Sequence, residues 1–353
     1  MVTNPQDQSD PSRRPRVLPG LPVLLRRPGE VQIGTDYRHA VVVDELPPPF
    51  VDELLALDGR HTVAELGERL AARGADPTEF VDLLDQLTDV GLVDEAVPVP
   101  GRLAAETTSR ALRTGRSGTG IVATRAKQTV VVHGNGRIAI ATAGLLAAAG
   151  IGRVHVTADG RVGPEDTGTG YLDVDVGRPR REAAVDAVER ASGDVRTGWL
   201  TTTAAPDLVV LADSLVPPPQ LVNTLMAQGT QHLLVRVREG TGLVGPLVVP
   251  GRTSCVRCMH LDRVSRDGCW PAVATQLADR KQPADIASAA TCAALAVGQV
   301  LAALDPHEVG LSPPTTWNAA LEIHPQLGVV ERQAYDPHPS CACGSAAPAA
   351  PAV

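Results

Sequence analysis

Aromatic side chains are almost absent: two Phe, three Trp and three Tyr in 353 residues. That shortage excludes base stacking as a way of holding nucleic acid, and it leaves Ala, Val and Leu to build the core. An excess of positive charge is also missing. At a formal net charge of −8 there is no basic face in bulk to neutralise phosphates, so no nucleic-acid partner is expected. No N-terminal apolar stretch resembles a signal peptide. The longest uncharged run, 286–304, is rich in Ala, Ser, Thr, Cys and Gln with few large aliphatics, which suits a buried helix better than a membrane span. Six cysteines in a long chain without a secretory signal point to metal or thiol chemistry rather than a disulfide framework. The expectation is a cytoplasmic protein with no membrane partner and, at this length, two domains.

The clearest unit is 129–156. Val130, Val131 and Val132 form an apolar run without alternation, as in a strand buried on both faces of a parallel sheet. A tight turn, Gly134-Asn135-Gly136, leads into about three helical turns of Ile, Ala and Leu that close at Gly150 or Gly152. A second strand, 154–156, follows. Strand, glycine turn, helix and strand make a βαβ unit whose helix start offers free N–H groups to a nucleotide phosphate. The turn pattern is Gly-x-Gly-x-x-Ala, at Gly134, Gly136 and Ala139. A βαβ turn that binds nothing is the plain alternative.

Ahead of this unit, residues 1–15 are polar and Pro-rich and read as disordered. Three short β-prone runs (21–25, 31–33, 40–43) precede three helices. The first covers 50–57. The second covers 63–72, with Thr62 and Glu65 forming a Thr-x-x-Glu capping box. The third covers 78–90, with Phe80, Leu83, Leu84 and Leu87 on one face. A small sheet and three helices make a winged-helix layout over 16–97. The segment from Leu55 through Asp58-Gly59, Thr62, Leu66 and Leu84 to Gly91-Leu92-Val93 resembles the PqqD-like peptide-recognition domains. That resemblance implies a precursor leader added as a strand at the sheet edge, beside the last helix. A winged-helix DNA reader is the competing reading; Glu79, Asp82, Asp85 and Asp89 on the third helix would repel a phosphate backbone.

Residues 98–128 read as a linker with one short helix, 103–112. Beyond 156 the pattern predicts a Gly-rich loop at 158–170, helices at 181–191 and 221–228, and strands at 208–211 and 233–237. It also predicts a hairpin over 240–249 with Gly242 and Gly245 in its turn, the helix 286–304, and a strand pair at 319–324 and 329–335. The tail 345–353 reads as disordered.

Cys255-x-x-Cys258 and Cys341-x-Cys343 are two closely spaced thiol pairs, able to close a tetrahedron around a structural zinc. A thioredoxin-like redox pair at 255–258 is disfavoured because no helix start is expected there. Cys292 falls within the Ala-rich helix and reads as a small buried apolar residue. Cys269 falls in the loop Asp267-Gly-Cys-Trp-Pro, where a thiol could be exposed, and is a candidate catalytic group.

Taken together, the glycine turn, the run Asp207-Leu-Val-Val-Leu-Ala-Asp213, the stretch from Gly242 to Val249-Pro250 and the two cysteine pairs resemble the ThiF/MoeB branch of the ubiquitin-activating-enzyme superfamily, across 129–344. The resemblance implies a doubly wound Rossmann-like α/β sheet behind the small winged-helix domain, a homodimer, a zinc held by four cysteines, and ATP-dependent adenylation of a peptide or protein C-terminus. Asp213 matches the Mg²⁺-binding acid. The other polar positions depart. Ala158 stands where an Asp holds the ribose, with Asp159 one residue late, and Asp166-Thr-Gly-Thr169 lacks the loop arginine. Gly177-Arg-Pro-Arg180 carries Arg180 in place of a phosphate-binding Lys, keeping charge but not geometry. Each lost donor costs about 2.7–4 kcal/mol of transition-state stabilisation. The expected function is therefore a catalytically degenerate ThiF-like protein that binds a precursor peptide and presents it to a modifying enzyme, as do the leader-binding partners of cyclodehydratases. The alternative is an active adenylyltransferase using Asp213–Mg²⁺ and Arg180, with Cys269 as acyl relay. A plain dinucleotide oxidoreductase lacks an acid in register at the second strand.

Overall fold

The structure is a computed structural model that describes residues 10–198, 205–278, 280–306 and 312–345. The expectations for 1–9 and 346–353 lie outside the described residues. The chain divides into two compact units, one running to Ala123 and one beginning at Thr124.

In the first unit, β1 (Pro15–Val17) pairs antiparallel with β5 (Val93–Glu95). β2 (Val23–Arg27), β3 (Glu30–Ile33) and β4 (Val41–Val43) form a separate antiparallel sheet. Helices α1 (Pro48–Leu55), α2 (Val63–Ala71) and α3 (Pro77–Asp89) follow. The capping box is formed: the Glu65 N–H donates to Thr62 Oγ1 at 3.1 Å and the Thr62 N–H to Glu65 at 2.8 Å. Both phenylalanines of the chain are spent in this core, Phe50 and Phe80 meeting edge-to-face at 5.0 Å. Leu54, Leu66, Leu70, Leu84 and Leu87 pack around them. The stretch read as a linker carries α4 (Ala104–Thr114) and α5 (Gly120–Arg125). At the other end, Arg13 and Pro11 carbonyls already accept the Val63 and Ala64 N–H groups.

The second unit is built on one seven-stranded sheet. Its strands are β6 (Thr129–His133), β7 (Arg153–Thr157), β8 (Leu208–Ala212), β9 (Gln231–Arg238), β10 (Thr241–Val248), β11 (Ala319–His324) and β12 (Val329–Ala334), in the order β12-β11-β10-β9-β8-β6-β7. The β9-β8-β6-β7 half is parallel and the β9-β10-β11-β12 half antiparallel. β6 stands between β7 and β8, so the chain changes direction of winding beside it. Ligands of open α/β sheets bind at such a switch point, at the carboxyl ends of the strands.

Helices α6 (Arg137–Ala148), α7 (Arg180–Ala191), α8 (Pro219–Ala227), α9 (Val256–Arg266), α10 (Trp270–Leu277) and α11 (Ile286–Leu304) complete the unit. α11 is the one described helix long and apolar enough to cross a membrane. Its Ala289, Cys292, Ala296 and Val300 are buried in the main core. The β9–β10 hairpin turns at Glu239-Gly240, both at positive φ, rather than at Gly242 or Gly245. Gly242 lies inside β10 because a Cβ there would come within 2.5 Å of Cys292 Sγ. Gly245, at φ +111°, sits where the β9–β10 register slips.

Candidate functional site

The turn after β6 leaves Gly136 at the N-cap of α6, with no side-chain oxygen of its own to accept the first amides. The turn's own amides, just ahead of the helix, are taken. Asp213, just past the end of β8, turns into the left-handed region at φ 70° and brings its carboxylate across. Its Oδ2 accepts the Asn135 N–H at 3.0 Å and the Gly136 N–H at 2.8 Å. The two glycines make room for it. A Cβ on Gly134 would lie 2.7 Å from that oxygen and 2.9 Å from the Ala139 Cβ, and one on Gly136 would lie 3.1 Å from Oδ1. Ala139 is buried directly beneath the turn. Burial pushes the Asp213 carboxyl up from its ordinary value, and nearby Asp166 adds to the rise. The two amides and the Lys281 ammonium pull the other way.

Around this point the expected polar groups are differently employed. The Asp159 N–H donates to Asn135 Oδ1 at 2.9 Å, tying the glycine turn to the end of β7, while Ala158 is buried and apolar. Arg180, first residue of α7, is held by Asp166 at 2.5 Å and by the Asp159 carbonyl at 3.1 Å. Asp166, itself buried, also accepts the Gly163 N–H at 2.8 Å. The Arg180 charge is thus matched inside the protein.

Two cations at the site escaped the sequence reading. Arg137 reaches from the first turn of α6 to the 166–169 loop, donating to the Thr167 carbonyl at 2.8 Å and to the Ala284 carbonyl at 3.0 Å. It faces the loop whose missing arginine was noted, from a different position in the chain. Lys281 comes from the segment after α10, where Ser214 and Lys281 form an isolated bridge. Its one signal in the sequence is rarity: it is one of two lysines in the chain. Tyr171, fully buried near Arg180, Asp166 and Asp213, was also missed.

The four cysteines converge as the spacing implied. Sγ–Sγ separations are 3.8 Å for Cys255–Cys258, 3.6 Å for Cys255–Cys341 and 3.6 Å for Cys258–Cys343. All four sulfurs lie within 4.8 Å of one another. These distances are far beyond a disulfide bond of about 2.05 Å. Burial pushes the Cys255 and Cys341 thiols up, and a cation among sulfurs packed this closely would hold them as thiolates. Cys255 is the N-cap of α9, so a helix does start at this pair, contrary to the reading that disfavoured a redox function. What argues against that function is the second pair closing on the first. Cys292 is fully buried, its thiol pushed up to about 12 by burial. Cys269 is exposed at the N-cap of α10, its N–H given to Asp267 at 2.9 Å.

No family model and no curated protein matches this sequence. Solved structures do. E. coli MccB crystallised with ATP superposes with a TM-score of 0.66 at 15% identity, over 93% of this chain and 99% of that one. The chain has the MccB fold. The microcin C7 biosynthetic enzyme MccB in complex with N-formylated MccA gives a TM-score of 0.64 at 15% identity, over 94% of this chain and 99% of MccB. PaaA gives 0.62 at 15% identity, over 90% of this chain and 98% of its own. MccB thus shares the mixed sheet of the second unit, a ThiF-like Rossmann-type sheet, and the alignment runs nearly the whole length of both chains.

Proposed function

We propose that this chain holds the leader of a precursor peptide and presents it to a modifying enzyme, the ThiF-like unit acting as a frame rather than as an adenylating enzyme. The observation that carries the reading is the Asp213 carboxylate seated on the Asn135 and Gly136 amides. Two anions cannot share the same pair of donors, so the Asn135 and Gly136 amides are closed to a nucleotide phosphate while Asp213 stands there. The internal pairing of Arg180 with Asp166 supports the same conclusion, since a matched cation has less to offer a phosphate. The crystallisation of MccB with MccA supports peptide handling by this fold.

In this reading the first unit is a PqqD-like winged-helix domain, 16–97, whose sheet edge takes the leader by main-chain pairing. The cysteine cluster is a structural zinc site. A tetrahedron with Zn–S bonds of about 2.3 Å has edges of about 3.8 Å, close to the separations between the four sulfurs. The protein works as a homodimer in the cytoplasm, where thiols stay reduced.

One observation favours the rival reading of an active adenylyltransferase: Arg137 and Lys281 place cations near a strand-end acid. There Asp213 would leave the turn to hold Mg²⁺, with Arg180 on the phosphates and Cys269 as the acyl relay. Calorimetry with ATP and Mg²⁺, together with labelled pyrophosphate exchange in the presence of a precursor peptide, separates the two. The scaffold reading expects no heat of binding and no exchange above background. Robust exchange that disappears in Asp213→Asn would overturn it.

A further inference from the structure

A second polar cluster lies on the sheet face that α9 covers. Arg236 and Arg238 alternate on β9 and so point the same way. The register carries that face outward: Arg236 pairs with Leu243, Leu243 with Glu322, and Glu322 with Glu331 on β12. α9 adds Arg263 and Arg266 from above. Between them is a pocket of about 350 Å³ walled chiefly by Arg238, Arg263, Arg266, Trp270, Glu322 and Tyr335.

Not every guanidinium of this pocket is paired with a carboxylate. Arg238 faces Glu322 at 3.5 Å, and Arg266 is paired with Asp262. Asp267, also in the wall, accepts the Cys269 N–H. Among the described residues, no carboxylate lies within ion-pair distance of Arg263 or Arg236. Arg263 lies 4.5 Å over the Trp270 ring and hydrogen-bonds Tyr335. Arg236 is 3% exposed and donates to the Gly245 carbonyl at 3.3 Å. The Trp270 indole N–H is taken by His260 at 2.9 Å, and burial holds that imidazole down near 4, so it adds no charge. Arg263 is thus the one guanidinium of the wall left without a carboxylate partner among the described residues.

We propose that this pocket binds a single carboxylate side chain, presented by an extended acidic peptide segment lying along β12. One carboxylate gives Arg263 the partner that it lacks. The planar guanidinium of Arg263 suits a carboxylate's two oxygens. Beside the pocket, β12 is exposed along its whole length and, among the described residues, pairs only with β11. Its outer edge offers main-chain donors and acceptors to an added strand. The proposal rests on the reading that this chain handles peptides, but not on where the leader is held.

The test uses the full chain and two synthetic probes, acetyl-Thr-Val-Glu-Val-Thr-amide and the same peptide with Gln at its centre. Binding is followed by tryptophan fluorescence, with Trp270→Phe identifying the pocket's signal. The Glu peptide should bind about tenfold more tightly than the Gln peptide, and the difference should shrink in about 0.5 M NaCl. Arg263→Gln should abolish the discrimination. Glu322→Gln, which frees Arg238, should tighten the Glu peptide several-fold, a gain that misfolding does not produce. Equal binding of the two peptides, no binding, displacement by equimolar inorganic phosphate, or no gain in Glu322→Gln would each overturn the proposal. Pyrophosphate exchange in the same preparations reports on the nucleotide site separately. Exchange with the discrimination intact sinks only the scaffold reading; lost discrimination without exchange sinks only this one.

Discussion

Asp213 sits just ahead of α6 on the Asn135 and Gly136 amides, where the helix dipole favours an anion. Burial works against its ionisation and raises its folded-state pKa above that of the unfolded chain. For an acid shifted this way, the contribution to stability is complete below the ordinary carboxylate range, near pH 4. It is lost as pH rises through the raised value. Asp213→Asn removes the titration. Its melting temperature, relative to that of the unaltered protein, should therefore climb between about pH 4 and pH 7 when followed by scanning fluorimetry. A difference that stays flat or falls would show that the carboxylate is not held uphill. That Asp213 ends a buried strand was legible in the apolar run before it. What it touches was not, because a linear pattern fixes a residue's place on an element but not the direction of a side chain at positive φ. Arg137 and Lys281 stayed hidden for a related reason: each approaches the site from a neighbouring element with no spacing rule to link them.

Among the elements, those that bury an apolar stripe or run were readable within a residue or two. α3 and α11 are examples, and so are β6 and β8. α9 and α10 were not anticipated. α9, with the sequence Val-Arg-Cys-Met-His-Leu-Asp-Arg-Val-Ser-Arg, has few apolar positions. Its apolar burial is concentrated in the first turns, where Val256, Cys258 and Met259 pack with Leu211, Val222 and Leu234, while Arg263 and Arg266 at the other end wall the pocket. α11 is anchored by charge where it ends. Asp305, its C-cap, takes a two-pronged pairing from Arg125, Nε and Nη2 each at 2.8 Å, with both side chains 2% exposed. Arg125→Met strands the carboxylate in a dry site and should cost about 3–5 kcal/mol in urea unfolding. Adding Asp305→Leu should recover much of that loss, because a buried pair replaced by apolar groups is nearly neutral. A double variant as unstable as the single one would mean that packing, not charge, sets the cost.

At the scale of the whole molecule, order and spacing along 129–344 carried the sheet, and the two cysteine pairs carried the metal cluster. They did so because sulfur ligands must come in close pairs even when the pairs are distant in sequence. Cys255→Ser should release the bound metal, read by mass spectrometry, and lower the melting temperature, since metal binding in such a site is folding free energy. A variant that keeps both would argue for four unrelated thiols. The antiparallel half of the sheet was harder to foresee, as the hairpin's glycines serve close packing in β10 while its turn is made by Glu239-Gly240.

The cysteine cluster also has a mechanical side. An ion held there, as proposed, would join positions 85 and 86 residues apart in the chain, so tension applied beyond Cys343 would be borne by sulfur before it reached the β11–β12 ladder. Stripping the ion would shift that load onto backbone hydrogen bonds and lower the rupture force.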